Sequence, residues 1–331
     1  MINFRSPAAT GYALALGASI LWSTIFLFAR GVAGSMSPVE MAFWRWALAF
    51  LAILPFTWRE LKAQRALLRK HFPLLALAGV IGFSGYSLLL FQAGKSTEAA
   101  NLALLSASAP IFMALLSRFW LGERVGTRQV FGLLIAVSGV IFLILRGDIN
   151  RLLTLTFSSG DLWMLPAAVM FASYSVIIRR RPAGMGQGAF LAAMLGCSTL
   201  SMAPLMLWEA AATTYHLPSA RLMGILAFIA IAPSLIGYLL WNKAVERIGA
   251  ARAGVIYYTV PLFSSLEAAW LLNERAGTPQ VVGGALIIGG ILFSSLDALR
   301  RSGKERALQR KTTPPHMPTE NIAQDKINPK N

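Results

Sequence analysis

The polar stretch LGERVGTRQVFG at residues 121–132 recurs almost unchanged as LNERAGTPQVVG at residues 272–283. Eight of the twelve paired positions are identical: Leu, Glu, Arg, Gly, Thr, Gln, Val and the final Gly. Polar surface loops diverge readily, so chance is a poor explanation. The repeat predicts that the chain contains two copies of a larger unit, 151 residues apart (272 minus 121).

The composition favours a membrane protein. Of the 331 residues, 13% are charged and 56% hydrophobic, and the mean hydropathy is +0.60. A soluble domain carries about 25% charged residues, so much of this surface must face lipid. The net charge of +16 does not indicate nucleic acid, because the basic residues lie in short gaps between apolar runs and in the tail. The single cysteine, Cys197, excludes an internal disulfide.

Ten apolar segments are each long enough to cross a bilayer, which takes roughly 20 residues. They lie at about 10–32, 38–57, 72–92, 97–117, 128–146, 160–178, 187–208, 220–242, 250–271 and 277–296. The first is interpreted as a span and not as a cleaved signal peptide, because no small-residue cleavage site closes it. The segments predict an all-α membrane protein with ten transmembrane helices. Residues 297–331 form a basic, polar tail that we expect to be disordered.

Lysine and arginine are shared unevenly between alternate loops. With the N-terminus placed in the cytoplasm, the inner segments hold fifteen Lys and Arg and the outer loops hold six, and the tail adds eight to the inside. Because cytoplasmic loops carry the excess of positive charge, both termini are predicted to be cytoplasmic.

The duplication extends beyond the polar stretch, since a shift of 151 aligns residues 93–142 with residues 244–293 without gaps. We therefore predict two five-span repeats, residues 10–146 and 160–296. Five is an odd number, so the second repeat enters the membrane from the opposite side. Such an inverted repeat is typical of transporters that open alternately to each side around a site at the midplane.

Four motifs give the chain a family resemblance: LWS at 21–23, FWRW at 43–46, Pro110 with the following LGER, and Pro261 with the following LNER. With these motifs, residues 10–296 resemble EamA-type members of the drug/metabolite transporter superfamily. The resemblance implies ten helices, two EamA repeats and residence in the bacterial inner membrane. It also implies export or exchange of a small metabolite or drug, an amino-acid-like solute among them, without indicating which.

Pro110 and Pro261 lie at equivalent places in the fourth and ninth spans. Proline removes a helical hydrogen bond and kinks the helix, and paired broken helices mark transporter binding sites; a kink that serves only packing is the alternative. Pro166, Pro204 and Pro233 lack this symmetry and are assigned to packing. Besides the paired prolines, the candidates for the substrate path are Trp22, Ser23, Tyr86, Asn101, Ser106, Tyr174, Asn242, Tyr257 and Tyr258.

Two charged residues fall inside the spans, Arg45 and Glu267. Both lie about 8–10 Å from the outer surface, at 1.5 Å per helical residue. Because ionisable residues at membrane depth are costly, they usually face the bundle interior and mark function. One hypothesis pairs the two residues across an external gate, and another has Glu267 carry a coupled proton. The alternative is a structural role for both.

Three further groups of residues are assigned structural roles. Tryptophans near the ends of spans are expected to anchor the membrane interface: Trp44, Trp46, Trp58, Trp120 and Trp270. Glycines in the third and tenth spans are expected to allow close helix approach: Gly79, Gly82, Gly85, Gly283, Gly284, Gly289 and Gly290. The glutamates of the repeated stretch, Glu123 and Glu274, are expected to cap the helices that follow them.

No catalytic or metal-binding cluster is predicted, because His71, His216 and His316 all fall in loops or the tail. We expect no cofactor. The sequence contains no phosphate-binding loop, so direct use of ATP is not expected. The expected partners are a small-molecule substrate, the lipid bilayer and, if transport is coupled, protons; the oligomeric state is open. The prediction is a secondary transporter that works by alternating access. The alternatives are an uncoupled facilitator or exchanger, and a membrane-embedded enzyme or lipid-handling protein.

Overall fold

The computed structural model describes residues 7–32, 36–96, 105–123, 125–148, 150, 159–212, 217–271 and 277–294. Within these ranges every regular element is helical, and seven helices are long and apolar enough to cross a bilayer. Large apolar side chains are open on the outer surface, for example Phe56 at 88% exposure and Phe119 at 78%. An apolar exterior suits lipid, so the prediction of an all-α membrane protein is confirmed.

The helices are numbered α1 to α12 in chain order. They are α1 Pro7–Val32, α2 Pro38–Ala63, α3 Arg65–Lys70, α4 Phe72–Ala93, α5 Ala109–Trp120, α6 Thr127–Ile144, α7 Asp161–Ile177, α8 Gln187–Ala212, α9 Ala220–Ile248, α10 Ala250–Tyr257, α11 Thr259–Leu271 and α12 Thr278–Ser294. Two helices contain a π-helical stretch, Val80–Gly85 in α4 and Ala230–Ile236 in α9.

Seven of the ten predicted spans correspond to the long helices α1, α2, α4, α6, α7, α8 and α9. The fourth predicted span is described only from residue 105 onward, and its helix α5 has 12 residues. The ninth is divided into α10 and α11, and the tenth corresponds to the short apolar helix α12. Ten membrane crossings therefore remain a prediction.

The helix breaks expected at the paired prolines are present. Helix α5 begins one residue before Pro110, and a turn at Tyr258 separates α10 from α11 before Pro261. Ser108 and Thr259, each two residues before its proline, donate a hydroxyl hydrogen bond to the carbonyl three residues earlier, at 2.6 and 2.8 Å. The offset of 151 relates these two residues (108 plus 151 is 259), so the two halves break their helices in the same way.

The packing of the helices is also symmetric between the two halves of the chain. Helix α1 packs on α9 and α11, while α7, its counterpart in the second half, packs on α4 and α5. Helix α2 packs on α8 and α9, and its counterpart α8 packs on α2 and α4. Each of these contacts therefore recurs with the roles of the two halves exchanged. The largest buried apolar cluster contains residues of both halves.

Helices α6 and α12 meet at two glycine pairs. A Cβ atom at Gly132 would lie 2.5 Å from the Gly290 carbonyl oxygen, and one at Gly139 would lie 2.8 Å from that of Gly283. The paired residue numbers rise along one helix and fall along the other, so the helices are antiparallel. Adding 151 turns Gly132 into Gly283 and Gly139 into Gly290, so exchange of the halves maps this contact onto itself. This geometry agrees with an inverted repeat.

The two π-helical stretches also occupy equivalent places, since Val80–Gly85 shifted by 151 becomes 231–236. In α9, Pro233 lies inside the stretch and cannot donate a backbone hydrogen bond. The Ser234 hydroxyl donates to the Ile229 carbonyl, five residues earlier, at 2.7 Å. No feature of the sequence pattern predicts either stretch.

Candidate functional site

Trp22 of α1 is the centre of an aromatic cluster. Its ring centroid lies 5.3 Å from that of Phe171, 5.2 Å from Tyr238, 5.0 Å from Trp241 and 5.9 Å from Tyr257. Most of these contacts are edge-to-face, a geometry worth about 0.5–1.5 kcal/mol per pair beyond area burial. Because the partners come from α7, α9 and α10, the cluster joins the first half of the chain to the second.

The π-helical stretches hold two indoles in place, that of Trp22 in this cluster and that of Trp46, whose ring lies 5.5 Å from the ring of Tyr238. Trp22 Nε1 donates to the carbonyl of Pro233 at 2.9 Å, and Gly237 leaves room for the ring, because a Cβ there would lie 2.9 Å from the same nitrogen. Trp46 Nε1 donates to the carbonyl of Phe83 at 3.1 Å. Each π stretch thus presents a main-chain oxygen that an α-helix would use internally.

One sequence-based assignment is wrong at this point. Trp46 is fully buried and is not an interface anchor, because its indole donates a hydrogen bond to the Phe83 carbonyl in the π stretch of α4. Trp58 and Trp120, by contrast, are about half exposed. Pro233 stays assigned to packing, and its carbonyl accepts the hydrogen bond of the Trp22 indole. Its role depends on the local π-helical geometry, which the proline pattern does not predict.

A small cavity lies between the halves beside Trp22. It is lined by Trp22, Ile25, Arg45, Tyr86, Leu90, Phe171, Tyr238, Tyr257 and Val260. About 20 Å³ of it is open to the centre of a water molecule, which is room for roughly one water. Binding pockets for organic ligands measure about 300–1,000 Å³, so the cavity must widen before it can hold a metabolite.

Arg45 of α2 is the one charged residue among those nine lining residues. Its side chain is buried, with 2% exposed, and its Nε atom donates to the Ser234 hydroxyl at 2.6 Å. The Cζ atom lies 4.5 Å from the centroid of the Trp46 ring. Its Nη1 atom is buried and has no hydrogen-bond partner. The guanidinium is therefore fixed on one side and left unsatisfied on another.

Tyrosine hydroxyls supply the other polar groups in and next to the cavity. The hydroxyls of Tyr86 and Tyr257 are joined by a side-chain hydrogen bond. Beside the cavity, the buried Tyr174 hydroxyl donates to Asn242 Oδ1 at 2.6 Å. This last bond connects α7 to α9.

Polar contacts close one end of the bundle, the end predicted to be cytoplasmic. Arg179 pairs with Glu123 at 3.3 Å and donates to the carbonyl of Glu246 at 2.8 Å. Arg181 pairs with Glu246 at 2.7 Å, and Arg180 donates to the carbonyl of the last residue of α5 at 3.1 Å. We call these five residues, Glu123, Arg179, Arg180, Arg181 and Glu246, the polar clasp. It links the two halves of the chain at this end.

The expected capping role of Glu123 is wrong. Helix α6 begins at Thr127 after Gly126, and no side chain caps it. The Glu123 carboxylate instead pairs with Arg179, and it lies 3.3 Å from the position of a Cβ at Gly249, where α10 begins. Glu274 lies outside the described residues.

The structure brings four sequence-predicted candidates together at the cavity: Trp22, Arg45, Tyr86 and Tyr257. Tyr174 and Asn242 lie beside it, since the Tyr174 ring packs 5.5 Å from that of the lining residue Tyr238. The cavity therefore draws mainly on the first, second, third, sixth and eighth predicted spans, and on the ninth at its break.

Arg45 and Glu267 are not paired in this conformation. Glu267 Oε1 accepts a hydrogen bond from the Ser23 hydroxyl at 2.6 Å, and its Oε2 atom has no partner. Arg45 binds Ser234 instead. Ser23 thus contacts the proposed proton carrier and does not line the cavity.

The remaining candidates that the structure describes are not among the lining residues. Tyr258 is buried in an apolar cluster formed with α6 and α12, and its hydroxyl has no partner. Pro110 packs against α10, where it approaches Gly254. Ser106 is buried, Pro261 is half-buried in α11, and Asn101 lies outside the described residues.

Five lining residues were not among the sequence-based candidates: Ile25, Leu90, Phe171, Tyr238 and Val260. They are neither charged residues nor prolines, so a search of the spans for those residue types does not identify them. Phe171 is an exception, because an offset of 149 between the first helices of the two halves places Phe171 opposite Trp22 and Gly160 opposite Gly11. That alignment is the signal from which Phe171 could have been identified.

Comparisons with known proteins agree with this architecture. The EamA-like transporter family matches residues 9–145 and again residues 158–296. The uncharacterized transporter YyaM of Bacillus subtilis is 31% identical over 291 residues, which cover 86% of this chain and 93% of that protein. A probable terminal-alkyne amino-acid exporter of Streptantibioticus cattleyicolor is 28% identical, covering 70% of this chain and 76% of the relative.

Two further proteins are similar to this chain, one in sequence and one in its known structure. A probable amino-acid metabolite efflux pump of Escherichia coli is 25% identical and covers 85% of this chain and 93% of the relative. A protein of known crystal structure superposes with a TM-score of 0.73 at 23% identity, covering 88% of this chain and 98% of that one. At that identity the superposition supports the fold alone.

Proposed function

Because the chain belongs to the EamA-like transporter family, we propose that it is a secondary transporter that moves a small organic solute across the bacterial inner membrane by alternating access. We propose export of an amino-acid-like metabolite. Two relatives support this choice, one a probable amino-acid exporter and the other a probable amino-acid metabolite efflux pump. The two inverted repeats, residues 10–146 and 160–296, would be the moving parts.

The observation that carries the proposal is the position of the aromatic cavity. Its lining comes from both halves of the chain, and the π-helical stretches of both halves fix the indoles around it. A site placed between two inverted halves changes its access when one half tilts against the other. A cavity inside one half would not respond in this way.

The conformation supports alternation, because the clasp is closed and the cavity is small. Arg179 and its neighbours join the halves at the end proposed to be cytoplasmic, so a substrate from the cytoplasm would enter only after these contacts part. The side chains of Arg179 and Glu123 are 32% and 27% exposed. A pair with this exposure is worth about 0.2–1 kcal/mol, so it can open within a transport cycle.

The proposed orientation puts both termini in the cytoplasm. It rests on the excess of Lys and Arg in the inner segments. Arg179, Arg180 and Arg181 of the clasp belong to that excess, so the charges that favour this orientation also join the halves at the end proposed to be cytoplasmic.

Energy coupling separates the proposal from its nearest rival, an uncoupled facilitator or exchanger. Glu267 is our candidate for the proton site, because it is an acid inside the spans with one carboxylate oxygen buried and unpaired. A membrane-embedded enzyme or lipid-handling protein is the other rival. It is not favoured, because both halves of the chain match the EamA-like transporter family.

Flux from proteoliposomes tests the proposal. The protein is reconstituted into vesicles loaded with the amino acids and organic acids of a cell extract, and efflux is measured with and without an inward proton gradient. We expect at least one solute to leave faster with the gradient. Equal flux in both conditions identifies a facilitator, and no flux of any solute refutes the proposal.

Two variants sharpen this experiment. Glu267→Gln should keep flux but lose its dependence on the gradient, because the amide cannot release a proton. Glu209→Gln is the matched control; Glu209 lies near the end of α8 and accepts a hydrogen bond from Ser37 at 2.8 Å, and it should keep the gradient dependence. Direction is tested by comparing metabolites in the medium of overexpressing and deletion strains.

A further inference from the structure

Among the residues that the structure describes, the buried guanidinium of Arg45 has no counter-ion within 4.0 Å. Ion pairs within 4.0 Å join Arg179 to Glu123 and Arg181 to Glu246, and no pair within the described ranges involves Arg45. Its neutral partner Ser234 satisfies only Nε. A buried, unpaired charge costs several kcal/mol. A chain that keeps such a charge at membrane depth usually uses it.

The surroundings hold Arg45 in one orientation. Its Nε atom is fixed by Ser234, whose hydroxyl is in turn held by the carbonyl of Ile229. Its Cζ atom lies over the Trp46 ring, and that indole donates to Phe83. Nη1 remains unpaired, on a side chain that lines the cavity. A guanidinium restrained in this way loses little further freedom on binding a ligand.

The rest of the lining limits what can sit opposite Nη1. No acidic residue is among the nine lining residues, and the other polar groups are tyrosine hydroxyls. The walls are aromatic or aliphatic, with the rings of Trp22 and Phe171 at an edge-to-face contact of 5.3 Å. The lining therefore carries a single positive charge, one anchoring point for an anion and an apolar surface for the remainder of a ligand.

We propose that the cavity selects a monoanionic carboxylate with an aromatic or branched apolar body, and that Arg45 binds the carboxylate through Nη1. This inference rests on the proposed function and names its substrate class. A guanidinium matches the planar geometry of a carboxylate, and a charge-assisted bond of this kind is about twice as strong as a neutral one. A zwitterionic amino acid fits less well, because its ammonium group would find no carboxylate in the lining.

Four ligands with the same body and different charges provide the test. They are N-acetylphenylalanine, an anion; its neutral amide; phenylalanine, a zwitterion; and phenylalaninamide, a cation. Their dissociation constants are measured by calorimetry on the purified protein in detergent. We expect the anion to bind at least about tenfold more tightly than the neutral amide, with the zwitterion between them and the cation weakest.

Variants of Arg45 assign the selectivity to that residue. Arg45→Gln should reduce the ratio between anion and amide to about one, and Arg45→Lys should keep part of it, because lysine retains the charge without the planar donors. Tyr258→Phe is the control and should leave the ratio unchanged, since Tyr258 lies in the separate cluster with α6 and α12. The comparison among the four ligands on the unmodified protein needs no variant, so it stands even if Arg45→Gln fails to fold.

The outcomes separate this inference from the proposed function. The inference is overturned if the amide or the cation binds as tightly as the anion, if the ratio survives Arg45→Gln, or if the anion shows no saturable binding in the millimolar range. Efflux of a zwitterion or cation from proteoliposomes, with no preference for anions, would uphold transport and refute the carboxylate site. Binding of the anion that depends on Arg45, without flux of any solute, would uphold the site and refute transport.

Discussion

The glycine contact between α6 and α12 offers a sharp test of the packing between the halves. A Cβ atom at Gly290 would lie 2.5 Å from the carbonyl oxygen of Gly132 and 2.6 Å from the backbone nitrogen of Ala136. Both obstacles are main-chain atoms, so no side-chain rotation relieves the clash and the helices must separate. Overpacking of this kind costs about 1–3 kcal/mol. We expect Gly290→Ala to destabilise the protein by that amount.

The adjacent residue is the matched control. A Cβ atom at Gly289 would meet nothing within 4 Å. In Gly289→Ala the methyl group is therefore accommodated, and the better helix propensity of alanine stabilises by up to about 1 kcal/mol. The two variants place the same methyl group one residue apart on the same helix. Any difference in their stability comes from the contact with α6.

Thermal unfolding of the purified protein in detergent measures the effect. At about 2–4 °C per kcal/mol, Gly290→Ala should unfold several degrees below the unmodified protein, and Gly289→Ala at or above it. Gly139→Ala should resemble Gly290→Ala, because 139 plus 151 is 290 and its Cβ would lie 2.8 Å from the Gly283 carbonyl oxygen. Equal midpoints for the adjacent pair would refute the antiparallel glycine contact.

Three further predictions concern hydroxyls, the polar clasp and orientation. Tyr174→Phe should destabilise by about 1–3 kcal/mol, because it leaves a buried acceptor without its donor, whereas Tyr258→Phe removes an unpaired hydroxyl and should be neutral; equal losses in thermal unfolding would contradict this. In a double-mutant cycle of Glu123→Gln and Arg179→Gln, the coupling energy should be about 0.2–1 kcal/mol, and zero coupling would show that the pair contributes nothing to closure. A topology reporter fused after Glu123 should be cytoplasmic and one after Glu274 external, and finding both on one side would exclude the inverted repeat.

The sequence was sufficient where a feature repeats or stands out from its surroundings. The repeated polar stretch predicts two related halves, the paired prolines predict the helix breaks, and the single charge in FWRW identifies Arg45. The prolines and Arg45 are visible in the sequence because a charge or a proline inside an apolar span destabilises the helix there and is therefore rare. Each therefore stands out in a chain of which 13% is charged.

The sequence failed where the outcome depends on backbone geometry. The π-helical stretches decide that Trp46 points inward and that the Pro233 carbonyl is available to Trp22, and neither follows from helical periodicity. Glu123 pairs with Arg179 across 56 positions (179 minus 123), a partner that a local capping rule does not consider. The residues next to Tyr238 in the sequence are also apolar, so the sequence does not distinguish Tyr238 as a lining residue. Its position at the cavity follows only from the packing of the helices.

In α4 and α9, the π-helical stretch also sets the angle by which the segment after it is rotated relative to the segment before it. Such a stretch accommodates an extra residue, and each residue of an α-helix turns the chain by about 100°. Deletion of one residue within Ala230–Ile236 would let α9 continue as a regular helix with Trp241 and Asn242 still facing Trp22 and Tyr174, whereas a regular helix that kept every residue would rotate them by about that angle. The stretch in α4 has the same effect on Tyr86. The two halves face the cavity with matching rotational phase because both carry the extra residue.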